Sequence, residues 1–361
     1  MDDLSHLNTP AFLVDRTALQ RNCDRMREKA AASHVIFRPH VKTHKVVEIG
    51  HMQHGGAIGP ITVSTLAEAE LFAAAGFSDL TYGVPVAPEK LERAAALAKR
   101  VETLNLLIDS RDALQALESF GHPFDVFLKV DCGYHRAGVD PDSEESVNLA
   151  RSMAASPVIR FRGLLTHAGH SYDARTIEEI RAIAAQERDA VDRLRRRVEL
   201  DLIRSVGSTP TLTALETFEG VDEVRPGNYV FFDAFQATLG SCRREDVAVS
   251  VLTTVVGSYP ERKTLIVDAG ALALSKDSGP RHLDPEFGYG IVCDTALQPL
   301  PMRIVALSQE HGKVSAEKVV PVGTRLRILP NHSCLTAAMD DRYHVVESGR
   351  VTAEWRPARG W

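Results

Sequence analysis

Lysine and histidine crowd one short stretch of the chain, Arg38-Pro39-His40-Val41-Lys42-Thr43-His44-Lys45, directly after an apolar run. If the run continues as a strand, His40 and Lys42 share one face and Val41 takes the other. The bland reading is a solvated strand edge. The chemical reading is an interior lysine, which must meet an anion, lower its pKa or form an imine, the last being the productive outcome. A second stretch runs Lys129-Val130-Asp131-Cys132-Gly133-Tyr134-His135-Arg136-Ala137-Gly138. The planar fork of Arg136 suits a carboxylate or a phosphate, unless it is merely an arginine in a surface turn. A third, Leu165-Thr166-His167-Ala168-Gly169-His170, offers an imidazole to stack on or hydrogen-bond a planar ligand, or only a satisfied histidine at a strand end.

A fourth constellation pairs Ser205-Val206-Gly207-Ser208-Thr209-Pro210 with Arg225-Pro226-Gly227-Asn228-Tyr229. Gly207, Ser208, Thr209, Gly227 and Asn228 are the residue types of a phosphate seat, where backbone N–H groups and a helix start converge. The fifth is Leu329-Pro330-Asn331-His332-Ser333-Cys334. On a strand, His332 and Cys334 project to the same side, an imidazole and a thiolate at a spacing that suits one zinc. Two ligands leave such a site open to water or substrate. The competing reading is a buried cysteine beside an interface histidine.

These stretches need elements to position them. Eight short apolar runs, at 35–42, 61–65, 79–83, 104–109, 125–131, 158–169, 203–208 and 222–227, alternate with helical patterns such as 66–76, 88–100 and 176–200. Near-continuous hydrophobicity suits strands buried on both faces, and eight alternations favour a closed parallel (β/α)8 barrel. Asp15 reads as the N-cap of an earlier helix. Each of the first four candidate stretches then falls after the C-terminal end of a strand, at the barrel mouth. From about residue 245 the helical pattern disappears and strand-like runs follow one another. The expected organisation is a barrel over 16–240 and an antiparallel β domain from 1–15 and 241–361, with the His332/Cys334 pair in the latter.

The composition fits an ordinary folded protein, with 44% apolar and 25% charged residues. A net charge of −6, dispersed along the chain, argues against a nucleic-acid or membrane partner. No apolar run approaches 18 residues. The N-terminus has no basic-then-apolar leader, and the five cysteines are scattered without a C-x-x-C pair. The expectation is a cytoplasmic protein.

Taken together, Thr9-Pro10-Ala11, the Arg38–Lys45 stretch, the Val130–Gly138 loop, Thr166–His170, Gly207–Thr211, Arg225–Tyr229 and Pro330–Cys334 resemble the fold-type III pyridoxal 5'-phosphate (PLP) enzymes. Within them the likeness is to the D-serine dehydratase, D-threonine aldolase and D-3-hydroxyaspartate lyase group, over nearly the whole chain. The resemblance implies an alanine-racemase-like barrel with a C-terminal β domain, a homodimer with active sites near the interface, and a D-amino acid substrate. It places the Schiff-base lysine at Lys42 and catalytic roles at Lys42, His167 and Arg136. His40, Arg136, His167, Tyr172, Gly207, Ser208, Thr209, Gly227 and Asn228 join Lys42 around the cofactor. It also implies a divalent metal on His332 and Cys334, with zinc preferred and manganese or magnesium as alternatives. Aldolases of the group carry H-x-D there and dehydratases H-x-C, so Cys334 tips the expectation toward dehydration of D-serine or D-3-hydroxyaspartate to a keto acid and ammonia. The alternatives are aldol cleavage to glycine and an aldehyde, with His170 as an extra base, a fold-type III racemase, and a non-catalytic PLP-binding protein.

Overall fold

The structure, a computed structural model, describes residues 4–361. Strand β1 (Ala11–Asp15) passes directly into helix α1 (Arg16–Ala32). The Asp15 carboxylate accepts from Ala18 N at 2.8 Å, the expected N-cap.

The barrel strands follow in alternation with helices: β2 (Ile36–Phe37), α2 (Val47–Gln53), β3 (Ile61–Val63), α3 (Leu66–Ala74), β4 (Asp79–Pro85), α4 (Leu91–Ala98), β5 (Thr103–Ile108), α5 (Arg111–Phe120), β6 (Asp125–Lys129), α6 (Glu144–Ala155), β7 (Arg160–Leu165), α7 (Ile177–Val198), β8 (Ile203–Val206), α8 (Thr209–Ala214) and β9 (Glu223–Val224). Every hydrogen-bonded pair is parallel, in the order β2-β9-β8-β7-β6-β5-β4-β3. Thr65, Ser110, Ser143 and Thr176 cap α3, α5, α6 and α7 through their side chains, which starts each return helix cleanly. Closure between β2 and β3 is thin. It rests on a single bridge of His40 with Thr62, helped by Thr62 N donating to Pro39 O at 2.9 Å.

One sequence expectation is corrected here. The first barrel strand does not run to residue 42. It ends at Phe37, and Val41–Thr43 form a 3-10 turn. Pro39 has no N–H to extend the ladder, so the chain touches the sheet once more, with His40 N on Pro226 O at 2.8 Å, and then turns. Lys42 is therefore presented by a helical turn and not by strand alternation.

Past β9, helix α9 (Ala234–Leu239) precedes β10 (Val249–Tyr259), β11 (Thr264–Val267), α10 (Ala271–Leu274), β12 (Ile291–Cys293), β13 (Pro299–Leu307), β14 (Gly312–Ala316), β15 (Arg325–Leu329), α11 (Ser333–Met339), β16 (Tyr343–Glu347) and β17 (Arg350–Trp355). The sheet order is β11-β14-β13-β12-β15-β10-β1-β16-β17, and β10 also pairs with β11, so six strands close on themselves. The pairing is antiparallel except for β1 with β16, which is parallel. The two short helices α10 and α11 interrupt what the sequence reads as strands alone.

By internal packing the chain divides into two compact units. One comprises the segment up to Asp24 with Asn228–Pro357, and the other comprises Arg25–Gly227 with Ala358–Trp361. Leu4, Leu7, Ala11, Leu13, Leu252 and Val346 form one buried cluster of the first unit, and Leu107, Phe127 and Leu165 one of the second.

Candidate active site

In the barrel unit the candidate residues lie after the C-terminal ends of the strands: Lys42 after β2, Arg136 after β6, His167 after β7, the Gly207–Thr209 turn after β8 and Gly227 after β9. The loop after β6 is drawn tight by the Val130–Val139 bridge and by Asp131, whose carboxylate accepts from Gly133 N at 2.9 Å and His135 N at 3.0 Å. Gly138 sits at φ +117°, where a Cβ would lie 2.6 Å from Asp131 N, so no other residue fits. Arg136 projects from this loop, exposed, with its guanidinium 5.1 Å from the Tyr134 ring centroid. Tyr134 in turn stacks on His170 at 6.1 Å. Both His170 nitrogens are buried with no hydrogen-bond partner among the described residues.

The half-buried His167 donates from Nδ1 to the Gly207 carbonyl, which fixes the tautomer and leaves Nε2 with its lone pair. Burial first, then the charges of Lys42 and Lys129, hold its pKa well below the ordinary histidine range. His40 is likewise depressed by burial and by Lys42, Arg225 and His167. Its Nδ1 is buried and has no hydrogen-bond partner among the described residues. Lys129 is pushed down to about 7 by burial and by the nearby Arg225 and Arg136. Arg225, lowered to about 10 by burial, donates to Ser205 Oγ and the Thr166 carbonyl. Lys42, Lys129, Arg136 and Arg225 therefore gather around two neutral imidazoles. Glu187 and Glu223 oppose them, but Glu223 is already engaged by Arg38 at 2.6 Å. Such a surplus of positive charge, with Lys129 and Arg225 buried, calls for an anionic ligand.

Gly207 supplies the backbone approach that a phosphate seat needs, since a Cβ there would lie 2.8 Å from Arg225 O. Ser208 Oγ is 2.7 Å from Ser171 Oγ, and Thr209 opens α8. Tyr172 lies in the 3-10 turn Gly169–Asp173. These residues fit a bound phosphate ester with a planar ring.

In the β unit the strand carrying His332 and Cys334 is corrected by the structure. β15 stops at Leu329, His332 is the N-cap of α11 with extended dihedrals of −136° and 98°, and Cys334 lies in the first turn of that helix. The pair still meets, because an N-cap residue lies outside the helical spiral. His332 interacts with the Cys334 side chain, and its Nδ1 is 3.0 Å from Asp277 Oδ2. Against burial, which lowers it, Asp277 and Cys334 raise the His332 pKa well above the histidine range. A carboxylate on one imidazole nitrogen orients the other toward a metal, so the donor set suits a soft divalent cation. Among the described residues no group of three or more His, Cys, Asp or Glu forms a closed metal cage.

Asn228 belongs to this second cluster by its side chain. Its Nδ2 reaches Asp233 Oδ2 at 2.7 Å, Ser333 Oγ at 3.0 Å and Cys334 Sγ at 3.8 Å. Asp233 also accepts from Ser333 N at 3.0 Å, which holds the His-Ser-Cys turn in place. Sequence reasoning passed over Glu187, Asp233 and Asp277. They are single carboxylates without a motif, recognisable only once folding brings them to loops far along the chain.

With this geometry in place, comparison with known proteins is decisive. The family model "Alanine racemase, N-terminal domain" matches residues 14–234, and a serine dehydratase domain model matches residues 248–346. The chain is 40% identical to the D-threo-3-hydroxyaspartate dehydratase of Delftia sp. (strain HT23), over 100% of both chains. It belongs to the D-serine dehydratase family of fold-type III enzymes. The solved structure of that Delftia relative superposes on the family member described above with a TM-score of 0.94 over 100% of both chains. Two single variants of a D-threo-3-hydroxyaspartate dehydratase have also been solved, one with a histidine and the other with a cysteine two positions later replaced by alanine, the cysteine variant in a metal-free form. Another family member, the D-serine dehydratase of Dictyostelium discoideum, is 38% identical over 100% of this chain and 99% of its own. The D-threonine aldolase of Filomicrobium marinum is 27% identical with a TM-score of 0.84, covering 98% of this chain and 96% of its own. Among the described residues no helix is long and apolar enough to cross a membrane.

Proposed function

We propose that this chain is a PLP- and metal-dependent lyase of D-β-hydroxy amino acids, a dehydratase that converts D-serine or D-3-hydroxyaspartate to a keto acid and ammonia. The observation that carries it is the His332–Cys334 contact with Asp277 on the far imidazole nitrogen, an H-x-C metal pair with its orienting carboxylate in place. PLP, when bound, supplies the electron sink for charge developing at the substrate Cα. A divalent metal, zinc for the thiolate with manganese or magnesium as alternatives, supplies Lewis acidity to the departing β-hydroxyl.

Lys42 would anchor the cofactor covalently, and its free Nζ would take the α-proton. The neutral His167 would face the ring, and Arg136 would take the substrate carboxylate or a cofactor oxygen. His40 and Tyr172 would pack about the ring, and Gly207, Ser208, Thr209 and Gly227 would hold the phosphate, joined by Asn228 through its backbone because its side-chain amide is held by Asp233 and Ser333. His332 and Cys334 bind the metal.

The second reading, aldol cleavage, is favoured by His170, whose two unpartnered nitrogens leave it available as the base for the β-hydroxyl proton. Product analysis separates the readings. Purified protein supplied with PLP and zinc is given D-serine, D-threonine or D-3-hydroxyaspartate, before and after chelation. Keto acid with ammonia, lost on chelation, upholds the dehydratase. Glycine with an aldehyde replaces it by the aldolase, and turnover indifferent to chelation removes the metal from the mechanism. The reading includes a cytoplasmic homodimer, supported by the scattered cysteines and by the exposed Leu272, Leu335 and Met339 on α10 and α11.

A further inference from the structure

Helix α7 buries the stripe Ile180, Ala184, Glu187, Val191, Leu194 and Val198, and one member of that stripe is a carboxylate. Glu187 is 2% exposed. A buried carboxylate persists only where donors offset its desolvation. Here Oε1 accepts from Ala168 N at 2.9 Å and Gly207 N at 3.0 Å, and Oε2 from Thr211 Oγ1 at 3.1 Å. Ala168 follows His167, Gly207 opens the turn after β8, and Thr211 lies in the first turn of α8. The two loops also touch directly, through His167 Nδ1 on Gly207 O and Ser171 Oγ near Ser208 Oγ. An aliphatic residue would complete the apolar stripe, but it would leave two buried backbone N–H groups without acceptors.

We propose that Glu187 is the positioning residue that locks the His167 loop to the Gly207–Thr209 turn, and so sets the distance between the residue facing the PLP ring and the seat of its phosphate. The inference rests on the PLP reading above and deepens it. Glu187 touches neither cofactor nor substrate; it acts through Ala168, Gly207 and Thr211.

The substitutions E187A and E187Q separate this role from plain stability. In E187Q the amide oxygen still accepts from both backbone N–H groups, and Thr211 Oγ1 accepts from the new NH2 while donating to Ser208 O, already 3.1 Å away. Geometry survives and charge is lost. In E187A both are lost, yet Glu187 lines a cavity of about 210 Å3, and the space its side chain vacates would admit water from there to the stranded N–H groups, so the variant should still fold.

Amide hydrogen exchange on PLP-free protein, followed over peptides spanning 166–170 and 206–211, gives the first readout, and PLP affinity by titration the second. E187A should accelerate exchange in both peptides together and weaken PLP binding on the order of 10- to 100-fold, by analogy with the loss of a residue that orients metal ligands. E187Q should restore both. The proposal is overturned if E187A lowers only the melting temperature, if one peptide loosens without the other, or if E187Q is as impaired as E187A. Should the parent protein bind no PLP, the cofactor reading falls, and the exchange data still uphold or refute the lock by the same criteria.

Discussion

A lysine, an aspartate and a cysteine carry the sharpest expectations at the scale of single residues. Lys42 Nζ is both anchor and base in the proposed reaction, so Lys42→Ala should abolish the visible band that borohydride fixes to the protein and lower turnover by about 10^2- to 10^4-fold or more. A band that survives, with the reduced cofactor mapped to another lysine by peptide mass, would displace Lys42 from that role. Asp277 holds His332 Nδ1 at 3.0 Å. Asp277→Asn should therefore weaken zinc binding by about 10- to 100-fold without removing it, whereas Cys334→Ala should remove it. Equilibrium dialysis against zinc gives both numbers, and unaltered affinity in Cys334→Ala would show that the thiolate is not a ligand.

At the scale of elements, the turn that presents Lys42 is held by a titratable group. His44 Nδ1 accepts from Val46 N at 3.0 Å, and its ring lies edge-on to Phe72. Burial lowers its pKa from 6.5 to about 3, against weaker support from Gln53 and Val46. Between those values the unfolded chain holds the extra proton, so stability rises with pH there and falls as the solution is acidified below about 6.5, with a limiting slope of about 1.4 kcal/mol per pH unit for each such histidine. His44→Gln should flatten the decline of melting temperature between pH 7 and pH 5 by one proton's share. Parallel curves for variant and parent would assign that proton elsewhere.

The same element shows what the sequence could and could not reveal. All eight barrel strands are legible because parallel strands buried on both faces read as apolar runs, and the mouth residues follow from where those runs end. The conformation carrying Lys42 is not legible, since alternation extends a strand that Pro39 in fact stops. The His332–Cys334 pair is legible as a pair, although the supposed strand is a helix N-cap whose extended dihedrals bring the two side chains together. Glu187, Asp233 and Asp277 left no trace in spacing, because their partners lie 19, 100 and 55 residues away, and only the fold makes them neighbours.

For the whole molecule, the proposed homodimer has a direct test. Leu272, Leu335 and Met339 are 51%, 42% and 46% exposed, on helices α10 and α11 that pack against each other. Charged residues at an apolar self-interface are strongly unfavourable, so the double substitution Leu272→Glu with Leu335→Glu should convert a dimer to a monomer in sedimentation velocity. A parent protein that sediments as a monomer, or a variant that remains dimeric, would move the interface elsewhere or remove it.

The pairing of β1 also governs how this molecule is made. Its two neighbours in the sheet are β10, which begins at Val249, and β16, which begins at Tyr343. A ribosome adding about 5–20 residues per second takes on the order of tens of seconds to travel from the first of these strands to the others. Over that interval all eight barrel strands are synthesised, while β1 waits at its N-terminal side with both edges bare. Birth of this enzyme is thus a race between late synthesis and early misassociation, and a chain stalled before Val249 would emerge with a finished barrel and an adhesive leading strand.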